Sequence, residues 1–277
     1  MPYKNFIIQS LKEAAIIANK NFGKVFGKII EQTKKIDNNQ VVTKTDLDIG
    51  NLLTGKIQQY FPDHNIIDEE IGIINNKSSL TWVVDPIDGT SNFANVLPMY
   101  GIMIGLLKDD SPVAGGIVLP FFNEIYFAEK GQGAFCNAKQ IHVTDKTNLK
   151  EVPLVYAMDA CRENPQSTYK ECQLLTKIML NIRNYRSSNS CYDIMMVAKG
   201  KYGGWLNRTT KIWDNVAPQI IIEEAGGKYT DFIGKKIDYS NPVSKTDKNF
   251  TVCAASPPLH QKLQEIIKNH NYSGFLS

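Results

Sequence analysis

The stretch Trp82-Val83-Val84-Asp85-Pro86-Ile87-Asp88-Gly89-Thr90 constrains this chain more than any other. A short apolar run ends on two carboxylates three residues apart, so one strand end can aim both at a single point. Hard divalent cations such as Mg²⁺ take carboxylate and carbonyl oxygens, and the Ile87 carbonyl can supply one more. Gly89 lets the backbone approach a ligand closely. A helix opening at Thr90-Ser91-Asn92 would turn free N–H groups and its positive dipole end towards a phosphate. Asp, Pro and Gly are also ordinary turn residues, so a plain turn stays open on these residues alone.

Other acids are placed to join such a site. Asp68-Glu69-Glu70 follows the strand-like Asn65-Ile66-Ile67, though an acidic triplet also suits a solvated turn. Asp214 follows Ile212-Trp213 and precedes a helical pattern, where an N-cap explains it equally well. Asp46 sits at a predicted helix start, a position the helix dipole also favours.

The pattern along the chain predicts a mixed α/β fold. Residues 4–31 read as a helix from apolar residues at three- and four-residue spacing. Thr45 to Asp48 reads as a capping box for a second helix that Pro62 ends. Residues 101–107, 113–119 and 124–128 read as an antiparallel meander. After about residue 145 strands and helices alternate, with Ser190 and Asp193 predicted to cap a short helix closed by Gly200. The expected division is an N-terminal α+β lobe over 1–145 and a C-terminal α/β lobe over 146–277. Gly131-Gln132-Gly133 reads as a hairpin turn, since it lacks the third glycine and following helix of a dinucleotide site.

A formal charge of +3 gives no sign of nucleic-acid, membrane or acidic partners. The five cysteines (Cys136, Cys161, Cys172, Cys191, Cys253) show no metal-ligand spacing and read as buried free thiols of a reducing compartment. His64, His142, His260 and His270 read as surface residues. No apolar stretch approaches a membrane span and no secretory signal pattern is evident, so a cytoplasmic location is expected.

Residues 82–93 resemble the first signature of the inositol monophosphatase family, and Trp213-Asp214-Asn215-Val216-Ala217-Pro218 resembles its second. Lys35, the Val42-Thr43-Lys44-Thr45-Asp46 stretch, the Glu69-Glu70 pair, the hairpin Lys130 to Asn137 and Glu224-Ala225-Gly226-Gly227 match in the same order. The resemblance covers roughly residues 35–257. It implies a layered αβαβα sandwich of the inositol monophosphatase/fructose-1,6-bisphosphatase type, commonly homodimeric. It implies a Mg²⁺-dependent, lithium-sensitive phosphomonoesterase acting on a small phosphorylated metabolite, with two or three Mg²⁺ per site. Glu70, Asp85 and the Ile87 carbonyl would hold one ion, and Asp85, Asp88 and Asp214 a second. Gly89 and Thr90 would bind phosphate, and Thr90, positioned by Asp46, would activate the attacking water together with Glu70. Ser190, Asn207 and Lys211 fall at the substrate side.

Four departures bear on the substrate, one of them Asn189, which stands where a Gly is usual. Asn207 stands where inositol-hydrolysing members carry a Glu that contacts ring hydroxyls. Lys211 stands where a His is common, and Val216 where a small Ala is preferred. Arg208 and Lys211 add positive charge that would suit a second phosphate, unless both point to solvent. A 3′(2′),5′-bisphosphate nucleotide and another sugar or amino-alcohol phosphate therefore remain alternatives to inositol monophosphate. Some bacterial relatives bind transcription or RNA-associated machinery, which gives a regulatory binding protein with dispensable phosphatase activity as a reading of another class, although nothing in the residues indicates RNA polymerase or nucleic-acid association.

Overall fold

A computed structural model describes residues 2–24, 32–33 and 41–270 of the 277-residue chain. Lys35 lies outside the described residues. Helix α1 (Lys4–Asn21) ends ten residues before the predicted boundary: Phe22 N–H closes it on the Ala18 carbonyl, and Gly23 then turns left-handed at φ 77°. Strands β1 (Gln32–Thr33) and β2 (Val41–Val42) pair antiparallel. Helix α2 (Lys44–Tyr60) opens with a capping box two residues earlier than predicted, between Thr43 and Asp46. Thr43 has the extended backbone an N-cap needs, and Thr45 lies already inside the helix.

An eight-stranded sheet follows, built from β3 (Asn65–Asp68), β4 (Gly72–Ile74), β5 (Leu80–Asp88), β6 (Gly101–Lys108), β7 (Ser111–Leu119), β8 (Glu124–Glu129), β9 (Ala134–Cys136) and β10 (Lys139–Ile141), with the short helix α3 (Thr90–Ala94) after β5. The order is β10-β9-β8-β7-β6-β5-β3-β4, and only β3 and β5 run parallel. Strands β6 to β8 are the expected meander. The second sheet has the order β12-β11-β13-β15-β14. It comprises β11 (Pro153–Ala157), β12 (Asn184–Arg186), β13 (Gly204–Thr210), β14 (Lys228–Thr230) and β15 (Phe250–Ala255). It is interleaved with α4 (Pro165–Met179), α5 (Cys191–Ala198), α6 (Val216–Glu224) and α7 (Pro257–Lys268).

Strand parity turns these elements into five layers, because successive side chains face opposite ways. Trp82, Val84, Ile102 and Ile104 pack under Ile7 and Leu11 of α1 and Ile49 and Leu53 of α2. Val83 and Met103 face the other way, onto Ile194 of α5, Ile220 of α6 and, beyond them, Val155 and Trp205 of the second sheet. The outer face of that sheet, Leu154, Tyr156 and Leu206, is covered by Leu174 of α4 and by Leu259 and Leu263 of α7. Helix, sheet, helix, sheet, helix is the sandwich expected.

Close approach of α6 to the first sheet depends on Gly105. A Cβ there would lie 2.7 Å from Val216 Cγ1 and 2.9 Å from the Ala217 nitrogen. Val216 thus finds its room at a facing glycine. Gly105→Ala is expected to lower stability by about 1–3 kcal/mol through overpacking; an unchanged melting temperature would show that α6 can move away freely.

Two sequence expectations about side chains fail. His260 is buried, its Nε2 lies 2.8 Å from Thr230 Oγ1, and burial lowers its pKa to about 4. His64 is half-buried, and its Nδ1 accepts the Trp82 indole N–H at 3.1 Å. Of the cysteines, Cys136, Cys191 and Cys253 are buried, but Cys161 is half-buried and Cys172 exposed. Among the described residues no helix is long and apolar enough to cross a membrane.

Candidate active site

The site forms where β5 breaks register. Asp85 pairs with Met103 and Asp88 with Gly101, so three steps on β5 oppose two on β6. This is a β-bulge, with one extra residue in the bulged strand, and Pro86 suits it because it has no N–H to give to the ladder. In a regular strand residues three apart face opposite sides. The bulge cancels that parity and brings Asp85 and Asp88 to one side.

Asp214 comes to the same place from the turn between β13 and α6. Its carboxylate accepts the Lys211 N–H at 2.7 Å, and its own N–H bonds the Lys211 carbonyl at 3.2 Å. The N-cap of α6 is Asn215, not Asp214. Asn215 is fully buried, takes the Tyr229 hydroxyl at 2.6 Å and donates to the Lys211 carbonyl, which braces the turn.

One oxygen from each of Asp85, Asp88 and Asp214 lies within 4.8 Å of the others. Asp85 is buried and its Oδ1 has no hydrogen-bond partner among the described residues, while Asp88 and Asp214 are half-buried. Burial pushes Asp85 well above the usual carboxylate range, and the charges of Glu69, Asp88 and Asp214 push it further. Burial raises Asp88 to about 6 against the pull of the Cys191 N–H, and raises Asp214 to about 7 with the help of the Asp88 charge. Three carboxylates this close resist joint ionisation. A hard divalent cation removes that conflict and gives the orphaned Asp85 oxygen a partner, so the donor set fits Mg²⁺.

The Glu69-Glu70 pair divides. Strand β3 runs parallel to β5 with Asp68 opposite Val84, and the Glu69 N–H continues the ladder to the Val84 carbonyl at 3.2 Å. Glu69 therefore lies alongside Asp85, and its charge bears on both Asp85 and Asp88. Glu70, named from the sequence, instead bears on Asp46 and Asp68. The sixteen-residue offset between the two strands would have pointed to Glu69.

Asp46 and Thr90 are brought together, with Thr90 Oγ1 at 3.1 Å from Asp46 Oδ1 and 2.7 Å from the Ile87 carbonyl. The other Asp46 oxygen caps α2 at Thr43, and burial raises its pKa to about 6. Gly89 is left-handed at φ 82°, and a Cβ there would lie 2.8 Å from Ser190 Cβ. Helix α3 does begin at Thr90 but has only five residues, too few for much dipole. Ser190 is the N-cap residue of α5, but its side chain makes no capping bond. Asp193 accepts the Ser188 and Asn189 N–H groups instead, at 2.7 and 3.0 Å.

Ser190 and Asn207 line a small cavity with Asp88 and Asp214. The two cations expected there are held elsewhere. Arg208 Nε lies 2.6 Å from Glu171 on α4, and Lys211 Nζ donates to the Asp247 carbonyl at 2.7 Å.

Comparison with known proteins follows the same lines. A profile of the inositol monophosphatase family matches residues 2–271. The fructose-1,6-bisphosphatase/inositol-1-monophosphatase of Aquifex aeolicus is 30% identical over 255 residues, covering 92% of this chain and 90% of that protein. The Nus factor SuhB of Pasteurella multocida is 31% identical over 229 residues, covering 79% and 84%. Among solved structures, the IMPase of Thermotoga maritima superposes with a TM-score of 0.84 at 25% identity, covering 99% of both chains.

Proposed function

This chain belongs to the inositol monophosphatase family, and on that premise we propose that it is a Mg²⁺-dependent phosphatase of a small phosphorylated metabolite. The observation that carries the reading is the convergence of Asp85, Asp88 and Asp214, with one Asp85 oxygen left without a partner among the described residues. Asp85, Asp88 and Asp214 would hold one ion. Asp85, the Ile87 carbonyl and Glu69 would hold a second, with Glu69 in the place first given to Glu70. Bound Mg²⁺ would supply an acidified water and neutralise charge on the leaving oxygen.

The chain's own groups would do the rest. Thr90 would orient the attacking water, with its hydroxyl turned by Asp46 and the Ile87 carbonyl. Gly89 and Thr90 N–H groups would take the phosphate, and Ser190 and Asn207 would face the leaving group. No covalent nucleophile is required. Phosphate release from Thr90 variants tests the scheme. Thr90→Ser should keep most activity, and Thr90→Val should lose about 10²-fold, the contribution typical of a positioned proton-transfer group. Equal rates in the two would remove the Thr90 hydroxyl from the chemistry.

The relatives named Nus factor SuhB support a second reading, in which the chain acts by binding transcription machinery. Recovery of RNA polymerase on the immobilised chain, undiminished in Asp88→Asn, would favour it. Recovery of no polymerase would leave the phosphatase alone.

A further inference from the structure

Trp205 stands on β13 between Val155 of β11 and Ala254 of β15, and packs in the same core as Ile194 of α5 and Ile220 of α6. It is 5% exposed, and its indole N–H meets no acceptor among the described residues. A buried donor left unmet costs free energy, and an indole offers a donor only. The ring borders a cavity of about 50 Å³ beside the carboxylate cluster, with Met103, Ile194 and Pro218 as its apolar wall and Asp88 and Asp214 on its acidic side. Each of those two carboxylates meets one backbone N–H, from Cys191 and from Lys211, and a carboxylate can accept about four hydrogen bonds in all. The Thr210 hydroxyl, which also borders the cavity, is engaged by Asn215 and the Phe250 carbonyl. One wall thus carries an unmet donor and another carries acceptors with capacity left.

A group that serves both walls must accept from nitrogen and donate to oxygen. A water does this, and the space suits one or two, since a water takes up about 30 Å³. We propose that Trp205 is a positioning residue whose N–H anchors a buried water, and that this water donates its two hydrogens to Asp88 and Asp214. Three such bonds are the usual complement of a buried water. The water holds two of the three clustered carboxylates in the orientation a cation needs, in the way that partners behind metal ligands do. The effect on the cation rests on the Mg²⁺ reading above; the water itself does not.

Proton NMR of the substrate-free, metal-free protein reads the water directly. The chain has three tryptophans, and Trp205→Phe identifies the Trp205 indole signal by its loss. In the wild-type chain that indole proton should show a rotating-frame cross-peak to water of dipolar sign, opposite to the sign of hydrogen exchange. Absence of the cross-peak would overturn the proposal and leave a hydroxyl of the substrate as the group able to bridge the two walls. Mg²⁺ binding is then measured by calorimetry on chelator-treated wild type and Trp205→Phe, with no substrate present. Phenylalanine keeps an aromatic ring on β13 and removes the donor. The variant should bind Mg²⁺ about tenfold more weakly, the scale of losing a partner behind a metal ligand, with little change in melting temperature in chelator. Equal affinities beside a clear cross-peak would overturn the positioning role. If the variant unfolds in chelator, the wild-type cross-peak alone decides whether the water is there. Wild-type protein that bound no Mg²⁺ would overturn the metal reading itself, with the water still decided by its cross-peak.

Discussion

Asp85→Asn is expected to abolish Mg²⁺-dependent phosphate release and, in metal-free protein, to raise thermal stability. Both effects come from one carboxylate. Asp85 is buried, carries an oxygen without a partner, and faces the charges of Glu69, Asp88 and Asp214. An amide of the same shape removes a desolvated charge from that cluster, and relief of this kind is worth about 1–3 kcal/mol. The same change removes an anionic ligand shared by both proposed ions, for which a loss of 10³-fold or more is expected, on the order of 4 kcal/mol of barrier. Chelator-treated wild type and variant would be compared by thermal unfolding, and phosphate release measured after Mg²⁺ is restored. A variant that is less stable without metal, or that retains turnover, would show that Asp85 plays a purely structural part.

Metal-free protein should also grow less stable as pH rises from about 5.5 to 8. Asp46 and Asp88 are raised to about 6 and Asp214 to about 7, with burial as the first cause in each. An unfolded chain releases these protons near pH 4, whereas the folded chain holds them until pH 6–7. Their contribution to stability is therefore fully present below the unfolded pKa and is lost as pH climbs through the folded values. Two to three such groups, coupled to one another, amount to a loss on the order of 2–4 kcal/mol. His260 acts in the opposite sense: its pKa is lowered to about 4, so its contribution is present above about 6.5 and fades on acidification. Saturating Mg²⁺ should flatten the carboxylate slope, since a cation favours the ionised forms. A melting temperature independent of pH between 5.5 and 8, with or without Mg²⁺, would contradict the electrostatic account of the cluster.

The fold was largely legible because it rests on local periodicity. Alternation in β5, β6 and β11 assigns Trp82, Ile102 and Leu154 to one set of faces and Val83, Met103 and Val155 to the other. Asp85 and Asp88 were legible for the same reason, as they end the β5 run, and Asp214 because it follows the apolar Ile212-Trp213. What escaped depends on partners distant in the chain or on register. Glu69 rather than Glu70 meets Asp85 because β3 and β5 pair in parallel at a particular offset. Arg208 is withdrawn from the pocket by Glu171, 37 residues away on another element, and no periodicity announces that ion pair. Burial of His260 depends on how α7 docks beside Thr230. The bulge at Pro86 lies between these cases: the proline was visible, but its consequence, two aspartates on one side, needed the β6 pairing.

The measurement closest to the central claim is phosphate release from inositol 1-phosphate as Mg²⁺ is titrated from a chelated baseline, run beside Asp214→Asn. The account predicts no release in chelator, a saturable rise with Mg²⁺ for the wild-type chain, and at least a hundredfold weaker response in the variant, a difference of about 3 kcal/mol. Release that persists in chelator, or a variant indistinguishable from wild type, would contradict the assignment of Asp85, Asp88 and Asp214 as the metal centre.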